Sequence, residues 1–129
     1  MIKLEGGNMK SQISFANLGN DYIHRMRDQI NNSEDKIDLE NNFCYTVSKF
    51  LIDVFSGEEL EVSADDISFD PNSETFYTLS DNLKNQERFR EIWQNSDLPN
   101  VIKRFAESTY HRYLHLNKHL EKTQKKIRN

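Results

Sequence analysis

The sequence predicts a single α+β domain, predominantly helical, with about four helices and a small antiparallel β-hairpin inserted between helices two and three. Three observations carry that expectation. Apolar residues recur at three- and four-residue spacing through most of the 129 residues. Only four glycines and two prolines are present, too few for the many tight turns of a β-sandwich or for a glycine-rich phosphate loop. Between residues 60 and 79 the apolar period switches from helical to alternating. A composition that is 36% hydrophobic and 11% aromatic supplies one packed core, and dividing 129 residues between two cores would leave each too small.

Residues 1–12 lack periodicity and carry Gly6-Gly7, so a disordered lead is expected there. Glu5-Gly6-Gly7 can be encoded by an all-purine stretch resembling a bacterial ribosome-binding site just ahead of Met9, which makes Met9 the expected natural start and a bacterium or phage the expected source. The folded domain is expected over residues 13–122. Its first helix follows from Phe15, Leu18, Tyr22, Ile23, Met26 and Ile30. Asn31-Asn32-Ser33 ends it, and Asp35 or Asp38 caps the next, because a short carboxylate accepts from the free amides of a first turn. Helix two runs from about Leu39 to Phe55. An advance of about 100° per residue gathers Leu39, Phe43, Val47, Phe50, Leu51 and Val54 in one arc, with Cys44 and Phe55 at its margin. Tyr45 and Ile52 fall on the opposite side, where a lone helix shows only polar groups, so they are either covered by another element or offered to a partner.

Ser56-Gly57 closes helix two. Leu60 and Val62 alternate with polar neighbours, as do Ile67 and Phe69, and Thr75 to Leu79 is rich in β-formers. Asp70-Pro71-Asn72-Ser73 has the chemistry of a type I turn, which makes Ile67 to Leu79 a hairpin and Leu60 to Ser63 the candidate third strand. Ser80 caps a third helix carrying Leu83, Phe89, Ile92 and Trp93. Asp97, with Pro99 in the first turn, starts the fourth and longest, whose stripe is Val101, Ile102, Phe105, Ala106, Tyr113, Leu116 and Leu120. Residues 123–129 are expected to form a basic C-terminal tail.

Charge is distributed unevenly. Residues 103–129 hold eight lysines and arginines against two glutamates, a net of +6, and the first 102 residues hold nine against nineteen carboxylates, a net of −10. No lysine or arginine occurs between Lys49 and Lys84, a stretch that holds Asp53, Glu58, Glu59, Glu61, Asp65, Asp66, Asp70, Glu74 and Asp81. Such a run attracts a basic partner surface through long-range complementarity; its ordinary explanation is a solvated hairpin whose charges deter strand-to-strand aggregation. The candidate protein-binding residues are Tyr45, Ile52, Glu58, Glu59, Glu61, Asp65, Asp66, Asp70 and Glu74.

His111, His115 and His119 are spaced by four and stack along one helix face, a spacing that chelates a divalent ion such as zinc. Arg104, Arg112, Lys122 and Lys126 share that side and oppose a dication, so a solvated polar face is the competing reading. A basic helix also serves nucleic acid, for which Lys118, Lys122, Lys125, Lys126 and Arg128 are the candidates. A pI near 5.6 and the absence of a helix-turn-helix or aromatic RNA-binding signature weigh against it. Asp70, Asn72, Glu74 and Asp81 imitate calcium-loop spacing, but Thr75 stands where the sharp-turn glycine belongs. Cys44 has no second cysteine to pair with and lies at the core margin, where a structural thiol is expected.

The expected function is therefore non-enzymatic binding of another macromolecule. The chain reads as a small acidic regulator, inhibitor or adaptor of the immunity, antitoxin or anti-defence type, cytoplasmic and without a cofactor. Its expected partner is a protein; pairing with a second copy is the alternative that opposite charges at the two ends invite. No membrane partner is expected, since the longest apolar stretch, Phe50 to Phe55, is short and broken by Asp53.

Overall fold

The computed structural model describes residues 14–58 and 60–128, with side chains through 118. Its elements are α1 (Ala16–Asn31), α2 (Lys36–Val54), a 3-10 turn (Ala64–Asp66), β1 (Ile67–Phe69), β2 (Tyr77–Leu79), α3 (Asp81–Lys84), α4 (Glu87–Gln94) and α5 (Leu98–Arg128). The architecture is α+β and mainly helical, with the hairpin between α2 and α3. The expected lead, and with it the Met9 start, lies outside the described residues, and the helical backbone of α5 continues to Arg128, through the segment read as a tail.

The local signals explain the boundaries. Asp35 caps α2, its carboxylate accepting from the Asp38 N–H at 2.8 Å. Ser80 caps α3 by accepting from the Leu83 N–H at 3.0 Å. β1 and β2 pair antiparallel with Ile67 opposite Leu79, Ser68 opposite Thr78 and Phe69 opposite Tyr77. The Asp70–Ser73 turn closes with the Ser73 N–H on the Asp70 carbonyl at 3.1 Å. The loop then needs Phe76 at φ +71°, and the displaced ring stacks on Tyr110 with centroids 4.1 Å apart.

α1, α2 and α5 pack against one another, and the hairpin lies on α2. Met26, Ile30, Phe43, Phe50, Leu51 and Phe105 meet at the centre, with Phe50 and Phe105 edge to face at 5.1 Å. Where α1 meets α5, Gly19 sits against Val101: a Cβ placed on it would lie 2.5 Å from Val101 Cγ1, so only glycine permits this approach.

Two expectations are corrected, and the role of Asp97 gains a second part. Leu60 to Ser63 forms no strand, and at Glu61 the Gln86 side chain takes the backbone groups that a neighbouring strand would use. Gln86 Oε1 accepts from the Glu61 N–H at 3.2 Å and its Nε2 donates to the Glu61 carbonyl at 3.0 Å. The expected third helix is two, α3 and α4, with Gln86 extended between them (φ −77°, ψ 122°). A continuous helix would turn Leu83 to the side opposite Ile92, nine residues on, and the break lets Leu83, Phe89 and Ile92 all enter the core. Asp97 begins α5 through its carbonyl, which accepts from Asn100 and Val101, but its carboxylate serves α1. It accepts from the Phe15 N–H at 2.7 Å and the Ser14 hydroxyl at 2.8 Å, and Ser96 Oγ takes the Leu98 N–H instead.

Candidate protein-docking surface

α2 has two apolar faces. The inner one carries Leu39, Phe43, Val47, Phe50 and Leu51 into the core. On the outer one Ile37 is 74% exposed, Tyr45 50% and Ile52 53%. Residues 45 and 52, seven apart, lie nearly in line along the helix, and Ile37, eight before Tyr45, is turned about 80° from it, so the three occupy a broad stripe about 22 Å long. The sequence places Tyr45 and Ile52 there correctly. It misses Ile37 because the helix begins at Lys36, a turn ahead of the first core residue, and because Ile37 falls on the flank between the core arc and Tyr45.

Charges rim the stripe unequally. Lys49 Nζ lies 4.8 Å from the Tyr45 ring centroid, a cation–π contact that holds the ring against its own helix. Behind it, Arg25 of α1 stands 5.3 Å over the Tyr22 ring, whose hydroxyl donates to Asp53. That hydrogen bond leads the influences that raise the Tyr22 pKa, followed by burial and the Asp53 charge, with Arg25 opposing. On the other side Glu40 and Cys44 of α2 and Asp65 of the 3-10 turn border an open depression of about 260 Å³. The Cys44 thiol donates to the Ile67 carbonyl at 3.0 Å, and burial, reinforced by the Glu40 charge, pushes it up to about 11. A thiol so held stays protonated near neutrality and is a poor nucleophile.

The acidic residues singled out from the sequence do not form one surface. Asp66 is corrected outright: it is 7% exposed and its carboxylate is used internally. It accepts from the Ser80 hydroxyl at 2.6 Å and the Ser63 N–H at 2.9 Å. Burial pushes its pKa up, and the hydrogen bonds from Ser80, Ser63 and Asn82 override this and leave it below the usual value. Glu58 is exposed but engaged, accepting from Arg88 Nε at 2.8 Å and Nη2 at 3.3 Å, and the guanidinium lowers its pKa. Asp70 is half-buried and turns its carboxylate onto the Asn72 N–H at 3.0 Å. Glu61, Asp65 and Glu74 are exposed, and Glu59 lies outside the described residues.

His111 and His115 are exposed on α5; the His119 side chain lies outside the described residues. Among the described residues no three histidine, cysteine or acidic side chains come together as a metal site. Lys118 is exposed, whereas the side chains of Lys122, Lys125, Lys126 and Arg128 lie outside the described residues. The fold does bring together a pair that the sequence reading left separate. Arg27 of α1 and Arg104 of α5 line an open depression of about 240 Å³ with Ser108 and His111, although Glu107 shares it. Among the described residues no helix is long and apolar enough to cross a membrane. No protein family, curated protein or solved structure matches this chain.

Proposed function

We propose that this chain works by docking the outer face of α2 onto a partner protein that presents apolar side chains flanked by lysine and arginine. It then acts as a regulator, inhibitor or adaptor in the cytoplasm, in the manner of immunity, antitoxin or anti-defence proteins, and carries out no chemistry of its own. The observation that supports this is the exposure of Ile37, Tyr45 and Ile52, three large apolar side chains left in water on a broad outer stripe of a helix whose other face is committed to the core. Glu40 and Asp65 beside it favour a basic partner, since complementary charge speeds encounter and sets orientation. The geometry suits a partner helix laid along the stripe.

A photo-crosslinking residue placed at position 37, 45 or 52 in the native host tests this. The expected result is one shared adduct from all three positions, absent from position 87 on α4 and lost when Glu40 and Asp65 are both changed to lysine. No face-specific adduct, or one indifferent to charge reversal, refutes the reading; an adduct of twice the chain's own mass replaces the foreign partner with a second copy. Arg27, Arg104 and Lys118 favour a second reading, nucleic-acid binding along α5. Mobility shifts whose affinity falls steeply with salt would support it, and no shift at low salt would end it.

A further inference from the structure

Among the described residues no strand pairs with the outer edge of β2, and the register of the hairpin decides which of its groups face outward. The Asp70 N–H donates to the Phe76 carbonyl at 2.8 Å and the Ser80 N–H to the Asp66 carbonyl at 2.8 Å. Hydrogen-bonded pairs alternate along an antiparallel ladder, so Ser68 and Thr78 form the pair between them. Tyr77 and Leu79 consequently turn their backbone N–H and C=O groups away from β1. The Tyr77 carbonyl is taken by the hydroxyls of Thr75 at 3.1 Å and Ser73 at 3.4 Å. Among the described residues, the Tyr77 N–H and both backbone groups of Leu79 have no partner.

An open groove of about 400 Å³ follows this edge. It touches Thr78, which points to the outer face of the sheet, as well as Tyr77 and Leu79, which point to the inner one, so it lies beside the strand and under neither face. Its far wall is α4. Phe89 and Trp93 stack there at 5.2 Å, and the Tyr77 ring meets Trp93 at 6.5 Å. The charged side chains lining the groove are both cations, Lys84 and Arg90. Among the described residues Arg90 reaches only the Asn85 carbonyl, at 3.3 Å, and Lys84 lies 3.7 Å from the exposed Asp81 carboxylate.

We propose that this groove receives an extended acidic segment of a partner protein, added as a third strand on β2. The main chain of the segment pairs with the Tyr77 N–H and with the outward N–H and C=O of Leu79, one apolar side chain lies on Trp93 and Phe89, and a carboxylate meets Arg90 and Lys84. A sheet of two short strands gains most from such an addition, and Leu60 to Ser63, held by Gln86, does not supply it. No residue of α2 lines this groove, so the proposal is independent of the docking face described above.

Trp93 is the chain's one tryptophan and therefore reports on its own groove. The full chain is titrated with an octapeptide alternating valine with aspartate or glutamate, with its lysine counterpart, and with a fully N-methylated version of the acidic peptide. The expected result is a saturable change in Trp93 emission with the acidic peptide, weakened at least about tenfold in the lysine and N-methylated peptides. K84E/R90E reverses the charge preference, and R90Q, which removes a single exposed charge, weakens acidic binding about threefold. Absence of a saturable change, equal affinity for acidic and lysine peptides, or undiminished binding of the N-methylated peptide overturns the proposal.

Discussion

Asp66 separates a structural carboxylate from a docking one, and replacing it gives a large, checkable effect. The Asp66→Ala change removes the acceptor of the Ser80 hydroxyl and of the Ser63 N–H, both at hydrogen-bond distance. Hydrogen bonds to an ionised group contribute about 1.5–3 kcal/mol each. Water can reach the half-buried Ser80 and the exposed Ser63 once the carboxylate is gone, which places the total loss at about 2–3 kcal/mol. For a chain of this size that corresponds to a melting temperature lower by roughly 6–15 °C. Urea unfolding followed by circular dichroism measures it, with Asp65→Ala as the exposed control expected within about 0.5 kcal/mol of the parent. Because the folded pKa of Asp66 lies below its ordinary 3.8, its contribution is complete above that value and is lost as pH falls through the folded pKa. The stability gap between the parent and Asp66→Asn therefore holds from neutrality to about pH 5 and closes in stronger acid. If Asp66→Ala costs no more than Asp65→Ala, the carboxylate is not the tie between the 3-10 turn and α3 that its geometry indicates.

Three further outcomes are expected. Gly19→Ala destabilises by about 1–2 kcal/mol, the clash with Val101 outweighing the gain of about 1 kcal/mol in helix propensity. In a denaturation cycle Gly19→Ala/Val101→Ala falls short of the summed single losses by at least about 1 kcal/mol, and simple additivity would mean the helices do not touch there. Iodoacetamide at pH 8 labels Cys44 of the native protein about a hundredfold more slowly than that of the urea-unfolded chain, since the thiol is pushed up to about 11 from 9.0; equal rates would contradict its burial. Gln86→Ala speeds amide hydrogen exchange at Glu61 while leaving the α2 amides protected, and unchanged protection at Glu61 would show that the side-chain clamp is not what holds that segment.

Helix periodicity is local information, and the chain declares it. The stripes of α1, α2 and α5, the caps at Asp35 and Ser80, and the Asp70–Ser73 turn all arise from residues within four positions of one another, where side-chain spacing and backbone chemistry leave few choices. Tyr45 and Ile52 were legible on the same grounds, because a helical wheel shows which residues a core-facing arc leaves behind. What the sequence does not disclose involves partners distant in the chain. Gln86 takes the backbone of Glu61, 25 residues earlier, and Asp97 takes the Phe15 N–H across 82. Asp66 looks like any other acid in an acidic run until Ser80, fourteen residues on, folds back against it.

Sequence alone determined the helical character, the insertion of a hairpin and the two-faced pattern of α2, since each depends on a short repeat. Tertiary structure decided which carboxylates stay in water, which strand edge remains open, and that Lys84, Arg90 and Trp93 share a groove with it. Those outcomes depend on which of several equally suitable polar groups comes within about 3 Å after the chain closes on itself, and no local pattern encodes that distance.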